Sequence, residues 1–236
     1  MLDNLLPLAV FCFSSSSTPG PYIFMITAAG ANYGGRRSLG QYLGIVLGFP
    51  AMVLALGLGL AAVFTAYPII HEVLRYVGSA YLCWLGIRIA TARRTESGAA
   101  TGRPLTFLES AGFQWVNPKA WVMAIGAIAA FTTGGVGALS EVSVIAAMYV
   151  LSGFIGCGVW LVFGVAIGRF LTNDTVFRIF NLTLGGLTIA SVILLFIRAV
   201  TVQRFPNTSA KLSMRARSAS ARVAGWPRST SDVTPV

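Results

Sequence analysis

The sequence predicts an all-α polytopic membrane protein, and three observations support this fold class. The chain of 236 residues is 56% hydrophobic and only 10% charged, whereas a soluble domain has roughly 25% charged residues. Its mean hydropathy is +0.76. It also contains six mostly apolar stretches of about 20 residues or more, the length that a helix needs to cross a bilayer core. These stretches cover about residues 5–31, 39–65, 68–91, 107–132, 142–168 and 177–198.

The six predicted transmembrane helices divide into two halves of three. Residues 1–92 form the first half, 93–106 a polar connector and 107–198 the second half. Residues 199–236 form a basic tail, predicted to be disordered because it has few large apolar residues. Halves with an odd number of spans insert with opposite orientation, so we expect a 3+3 inverted repeat with a site between the halves.

The first span of each half contains an interruption that includes proline. "TPGP" occupies Thr18 to Pro21, and "NPK" occupies Asn117 to Lys119. A proline inside a helix costs about 3 kcal/mol, whereas it is inexpensive at the first position of a new helix. We therefore predict two half-helix breaks, in which Thr18 and Asn117 cap helices that start at the prolines following them. The alternative is a pair of kinks that only shape packing.

The position of these breaks predicts a substrate-binding site near the middle of the membrane. At 1.5 Å per residue, each break lies about 17–20 Å into its span. Free amides and carbonyls at a break can face the carboxylate and the ammonium of a zwitterion. A lysine at that depth requires water, a partner or a substrate carboxylate, unless it snorkels to an interface. The predicted site consists of Thr18, Pro19, Gly20, Pro21, Tyr22, Asn117, Pro118 and Lys119.

Glycines recur every four residues on the second span of each half, which predicts faces where helices approach closely. These residues are Gly40, Gly44, Gly48, Gly164 and Gly168. We expect them to serve packing within one chain, and a homodimer seam is the alternative. We assign no transport role to four tryptophans, because aromatic residues often anchor in the headgroup region. They are Trp84, Trp115, Trp121 and Trp160.

The net charge of +10 favours one membrane orientation. Loops one, three and five contain or adjoin Arg36, Arg37, Arg88, Arg93, Arg94, Arg103, Arg169 and Arg178, whereas loops two and four offer only Arg75. Lys and Arg in short loops favour the cytoplasm, so the odd loops are predicted inside and both termini outside. The basic tail favours the opposite side, and a five-span alternative places the tail and the odd loops together. Because no soluble fold presents these charges, nucleic acid is not an expected partner.

Few residues in the sequence suit metal, redox or catalytic chemistry. Cys12, Cys83 and Cys157 lie in separate spans without CxxC spacing, and His71 is the single histidine, so no metal site or disulfide framework is expected. A membrane thiol or electron carrier would need cysteines at equivalent places in both halves, and Cys12 has no such counterpart. A membrane enzyme lacks the clustered ionisable residues it needs. A structural scaffold would leave the paired breaks unexplained.

Three stretches resemble a known family of transporters. They are "TPGPYIFMITAAGANYGGRRSLGQYLGIVLGF" (18–49), "LRYVGSAYLCWLGIRIA" (74–90) and "FQWVNPKAWVMAIGAIAAF" (113–131). The chain resembles the LysE/RhtB family of amino-acid exporters over about residues 5–198, closest to the branch with the cysteine and O-acetylserine exporter. The resemblance implies proton-motive-force-driven efflux of amino acids or small derivatives across the bacterial cytoplasmic (inner) membrane, with no enzyme activity and no cofactor. Many members carry Asp or Asn after PGP, where this chain has Tyr22, so either another residue fills that role here or the substrate differs.

Overall fold

The structure, a computed structural model, describes residues 5–60, 66–93, 100–133 and 137–204. Within these ranges the chain forms eight α-helices, and the all-α prediction is confirmed. The helices are α1 (Leu5–Ser17), α2 (Pro21–Tyr33), α3 (Gly35–Ala55), α4 (Pro68–Ala90), α5 (Phe107–Val116), α6 (Pro118–Phe131), α7 (Ala138–Gly168) and α8 (Asp174–Arg204).

Both predicted interruptions are helix ends, but the first one is built differently from our expectation. The prediction that Thr18 caps a helix starting at Pro19 is wrong, because α2 starts at Pro21 with Gly20 as its N-cap. A residue that precedes proline is disfavoured in the helical region, and Gly20 is accordingly extended (φ −177°, ψ −177°). The second interruption follows the prediction, since Asn117 separates α5 from α6 and Pro118 is the first residue of α6.

The surface of the protein is suited to lipid. The segments Gly35–Leu60, Ala138–Gly168 and Asp174–Ile193 are each long and apolar enough to cross a membrane alone, by length and composition. Leu5–Ser17 and Pro118–Phe131 are shorter apolar helices. Highly exposed apolar side chains on these and neighbouring helices include Leu108 (78%), Leu6 (75%) and Val122 (72%), as expected of helices that face lipid. The chain is therefore a multi-pass membrane protein, and the six-span arrangement stays a prediction.

The ends of several spans differ from their predicted bounds. Beyond α3 the chain continues as a wider π-helical turn, Leu56–Leu60, in which Gly59 has a positive φ of 107°. α8 continues to Arg204, six residues into the predicted tail. Residues 205–236 of that tail and the side chain of His71 lie outside the described residues. The chain contacts group into one unit over Met1–Leu194 and a second over Leu195–Val236.

The five glycines predicted to serve helix packing lie on α3 and α7 and face helices of the opposite half. A methyl group added to Gly44 or Gly48 would lie 2.3 Å or 2.5 Å from backbone atoms of α5. A methyl group on Gly164 or Gly168 would lie 2.3 Å or 2.6 Å from carbonyl oxygens of α2. At Gly40 the nearest atom would be 3.7 Å away, an ordinary contact. These close approaches hold α5 against α3 and α2 against α7, and so position one half-helix of each interrupted span.

Candidate functional site

Side chains from other parts of the fold cover the carbonyl groups that α1 leaves at its end. The hydroxyl of Tyr22 donates to the carbonyl oxygen of Ser16. The indole Nε1 of Trp160, on α7, donates to the carbonyl oxygen of Ser17 at 3.1 Å. A helix ending in an apolar environment must satisfy its last carbonyl groups, and these two aromatic donors do so.

Lys119 joins the two interruptions. Its side chain leaves the first turn of α6, and its Nζ donates to the carbonyl oxygen of Thr18. The Nζ also lies 5.3 Å from the centroid of the Tyr22 ring, a cation–π distance. The lysine stem covers Gly20 so closely that an added methyl group there would lie 2.9 Å from Cδ. The charge of Lys119 is thus stabilised by the negative end of α1 and an aromatic face rather than by an acidic partner.

The second interruption is closed mostly by its own residues. The Oδ1 of Asn117 accepts from the backbone N–H of Lys119 at 3.2 Å, which caps α6 as predicted. The backbone carbonyl of Asn117 accepts from the N–H of Ala120 at 3.0 Å. On the α5 side, the indole Nε1 of Trp121 donates to the carbonyl oxygen of Trp115 at 2.7 Å. Each interruption therefore uses a tryptophan to satisfy a free carbonyl, a role the sequence analysis missed.

A cavity lies beside the two interruptions, and we call it the break cavity. Residues of α1, α2 and α3 from the first half and of α5, α6 and α7 from the second half line it, together with Asn117 between α5 and α6. It leaves about 20 Å³ of room, enough for a water molecule but far below the roughly 300 Å³ of a ligand pocket. Its lining consists of Ser16, Tyr22, Ile45, Val46, Phe49, Gln114, Asn117, Ala120, Met123, Tyr149, Gly153 and Cys157.

The polar lining of the break cavity is deeply buried. Ser16 Oγ lies 3.2 Å from Ser152 Oγ, and the hydroxyl of Tyr149 donates to the carbonyl oxygen of Met123 at 3.3 Å. Gln114 is 2% exposed, and its Nε2 is 3.5 Å from a carbonyl oxygen of its own helix. These groups could hold the polar end of a small molecule, while the aliphatic and aromatic lining from α3 could contact its apolar part.

One buried donor in this lining has no partner among the described residues. Asn117 is 0% exposed, and its Nδ2 makes no hydrogen bond although its Oδ1 caps α6. A buried donor without an acceptor costs about 1–3 kcal/mol. The hydroxyl of Ser17, at the other interruption, is likewise buried without a partner. Among the described residues, buried polar side-chain atoms without a partner therefore occur at both interruptions and also at Ser38 and Ser110.

The structure distributes the predicted site residues among four positions. Tyr22 and Asn117 line the break cavity. Thr18, Gly20 and Lys119 contact one another beside it, Pro21 and Pro118 start the two half-helices, and Pro19 is exposed. Sequence analysis missed four polar residues of the cavity, Ser16, Gln114, Tyr149 and Cys157. Ser16 and Gln114 had a local signal, because they lie two residues before Thr18 and three residues before Asn117.

The described residues offer little for metal or redox chemistry. They contain no group of three His, Cys, Asp or Glu side chains that could hold a metal ion. All three cysteines are free, and Cys12 and Cys157 are buried.

Comparison with known proteins identifies a transporter family and several curated relatives. Residues 13–199 match the LysE type translocator family. The cysteine/O-acetylserine efflux protein of Salmonella typhimurium (strain LT2) is 32% identical over 148 residues, which is 62% of this chain and 75% of that protein. The protein of the same description from Escherichia coli O6:H1 (strain CFT073) is 29% identical over 151 residues, 64% of this chain and 76% of that protein. No solved structure matches the chain.

Proposed function

Since the chain belongs to the LysE type translocator family, we propose that it is a secondary transporter that exports a small amino acid or amino-acid derivative from the cytoplasm. The relatives named for cysteine and O-acetylserine efflux make these two compounds the first substrates to test. The observation that carries the proposal is the unpartnered Nδ2 of Asn117 at a cavity between the two halves.

Binding at this site follows from the groups that the interruptions expose. The Nδ2 of Asn117 and the Lys119 ammonium are donors that suit a substrate carboxylate. The carbonyl oxygens at the end of α1 suit a substrate ammonium, which would compete with Lys119 for the oxygen of Thr18. Lys119 thus takes the place of the substrate cation in the closed conformation and is freed to meet the carboxylate when the substrate enters.

The size of the break cavity indicates that transport requires the halves to open. About 20 Å³ does not accommodate an amino acid, so the described conformation is a closed one. Alternating access by rocking of two repeats around a central site would open the cavity to one side at a time. The short α1, α2, α5 and α6 helices can move as separate bodies, because each interruption has already removed the hydrogen bonds of a continuous helix.

We place the transporter in the bacterial cytoplasmic membrane with six spans, in which α1–α2 and α5–α6 each count as one interrupted span. The excess of basic residues beside the odd loops puts these loops in the cytoplasm and both termini outside. Reporter fusions at residue 97 and after residue 205 should report opposite sides of the membrane. The same side for both would support five spans instead.

We propose that export is coupled to the proton-motive force. In the described spans no carboxylate lies in the helix interior, where it could carry a proton. Glu72, Glu109, Glu141 and Asp174 each lie within the first five residues of a helix. A protonophore should abolish export from energised cells, whereas a facilitator would continue to equilibrate its substrate. If a substrate gradient alone drives export as fast without a proton gradient as with one, proton coupling is wrong.

The test of the site uses Asn117→Ser, which keeps an oxygen to cap α6 but removes the Nδ2 donor. Efflux of labelled O-acetylserine and cysteine from preloaded cells should fall about tenfold, as expected for one lost hydrogen bond to a charged group. Ser110→Ala is the matched control, because Ser110 Oγ is also buried without a partner but does not line the cavity. Normal efflux by Asn117→Ser at wild-type abundance would contradict the site.

A cysteine-free variant separates the proposal from a thiol carrier. Replacing Cys12, Cys83 and Cys157 by alanine should leave export of O-acetylserine well above that of cells without the protein, since no thiol is asked to react and Cys157 only forms part of the cavity wall. Loss of export at normal abundance would favour the carrier.

A further inference from the structure

A second cavity opens beside the connector between the halves, and we call it the connector cavity. Its walls are the last turns of α2 and α4, the start of α3 and the segment that leads into α5. It leaves about 40 Å³ of room, so like the break cavity it must widen before an amino acid can enter. All of these walls lie at the ends that face loops one and three, which are the loops with the basic residues.

The two cavities share two of their walls. On α2, Tyr22 lines the break cavity and Met25, one turn along, lines the connector cavity. On α3, Ile45 lines the break cavity and Gln41, one turn back, lines the connector cavity. One turn of helix is 5.4 Å, so about one layer of side chains separates the cavities on both walls. Met25 and Ile45 are 3% and 5% exposed, and they belong to that layer.

A single face of α2 connects the cavities. Tyr22, Met25, Ala29 and Asn32 follow one another at intervals of three, four and three residues, which keeps them on one side of the helix. All four line one cavity or the other. This face is a row of small or polar side chains interrupted by one methionine, a side chain flexible enough to move aside.

The connector cavity carries a positive charge at its outer wall. Arg103 is held by Glu109 through two hydrogen bonds of 2.7 Å, so that pair is electrically neutral. Arg88 makes no ion pair within the described part of the chain. Its guanidinium donates one hydrogen bond to the carbonyl oxygen of Arg103 at 2.7 Å and lies 5.4 Å from the ring of Trp84. These contacts fix the guanidinium while using one of its five donors.

Polar oxygens lie in the same cavity. The side-chain carbonyl of Gln41, 2% exposed, accepts from the N–H of Leu105 at 3.2 Å. The side-chain carbonyl of Asn32 accepts from Asn181 at 3.2 Å. A carbonyl oxygen has two lone pairs, so each can accept a second donor. An arginine with free donors and carbonyl oxygens beside it complement the carboxylate and the ammonium of a free amino acid.

We propose that the connector cavity is an entry subsite, where Arg88 binds the carboxylate of the amino acid before it passes the Met25–Ile45 layer to the break cavity. This inference rests on the proposed export function. It assigns Arg88 a role in recognition of substrate from the cytoplasm and leaves Asn117 and Lys119 to bind it at the centre.

The first experiment compares Arg88→Gln and Arg88→Lys in inside-out vesicles, where the cytoplasmic face is accessible. Arg88→Gln should raise the KM for O-acetylserine at least about tenfold with a maximal rate near wild type, because a charge-assisted contact is lost. Arg88→Lys should restore part of the loss, since it keeps the charge. Arg169→Gln is the matched control, an exposed arginine at the end of α7 that lines neither cavity. Equal KM values for all of these variants would overturn the subsite.

The second experiment keeps Arg88 and does not depend on the folding of its variants. A single cysteine at Ala29, in the cysteine-free background, should be protected from a thiol reagent by O-acetylserine. A cysteine at exposed Arg169, in the loop after α7, should be labelled equally with and without O-acetylserine. Failure of wild type to export would defeat the function itself. Normal export with unchanged labelling of the cysteine at Ala29 would defeat only the entry subsite.

Discussion

Both interruptions end one helix and start another, but they satisfy the free backbone groups in different ways. The first takes three residues, Thr18 to Gly20, and depends on donors from α2, α6 and α7 to cover its carbonyl groups. The second takes one residue, Asn117, whose own side chain caps the next helix. The carbonyl groups at the first break are therefore satisfied by tertiary contacts, whereas the second break is capped by its own asparagine. Lys119 couples them, because it starts in the second break and ends at the first.

The largest effect on export is expected from Pro118, the residue that keeps α5 and α6 separate. Without Pro118, Asn117 is no longer disfavoured in the helical region, and α5 and α6 can join. Pro118→Ala should therefore reduce export more than tenfold while abundance in the membrane stays near wild type, since alanine favours helix. Pro21→Ala should also reduce export, but less, because Pro19 still interrupts the first span.

Pro50 supplies the control for these two variants. It lies inside α3 and does not itself line the break cavity, although its neighbour Phe49 does. Pro50→Ala should leave export within a few-fold of wild type. If all three proline variants lose abundance and export together, the interruptions act as packing kinks rather than as a site.

The next largest effect concerns the residue that couples the breaks. Lys119→Met keeps the stem that covers Gly20 but removes the charge that binds the Thr18 carbonyl. Export should fall about tenfold, as for a lost charge-assisted hydrogen bond. Lys119→Arg should recover only part of it, because a planar guanidinium presents its donors differently from an ammonium. Near-normal export by Lys119→Met would show that export depends on the aliphatic stem of Lys119 and not on its charge.

A smaller effect tests whether the two breaks are held equally tightly by their neighbours. Gly44→Ala and Gly164→Ala each place a methyl group 2.3 Å from a backbone carbonyl oxygen, on α5 and α2 respectively. Each should destabilise the protein by about 1–3 kcal/mol, through overpacking. Thermal unfolding in detergent would measure this. Gly186→Ala, on α8 with open space around it, should unfold like wild type or slightly later.

The smallest effect concerns the tryptophan donors. Trp160→Phe removes the hydrogen bond to the Ser17 carbonyl, and Trp121→Phe removes the one to the Trp115 carbonyl. Each should cost about 1 kcal/mol of stability. Because the first break depends on distant donors, Trp160→Phe should also alter export kinetics, whereas Trp121→Phe should not. If the two tryptophan variants change transport equally, the two breaks do not differ in their dependence on distant donors.

The sequence by itself determined that this is a helical membrane protein with breaks near Pro21 and Pro118. Apolar length and proline act within a few residues, so these features can be read locally. The capping of α6 by Asn117 was readable for the same reason. The start of α2 was placed two residues early, because the effect of Pro21 on Gly20 outweighs the capping preference of Thr18.

Only the tertiary structure decided what lies opposite each break. The contact of Lys119 with Thr18 joins residues 101 positions apart, and that of Trp160 with Ser17 joins residues 143 positions apart. No local propensity relates such pairs, since their meeting depends on how glycine faces bring α2 against α7 and α3 against α5. The unpartnered Nδ2 of Asn117 could be found only there as well. The sequence shows that an asparagine caps a helix, but only the packed neighbours show that its second polar atom has no acceptor.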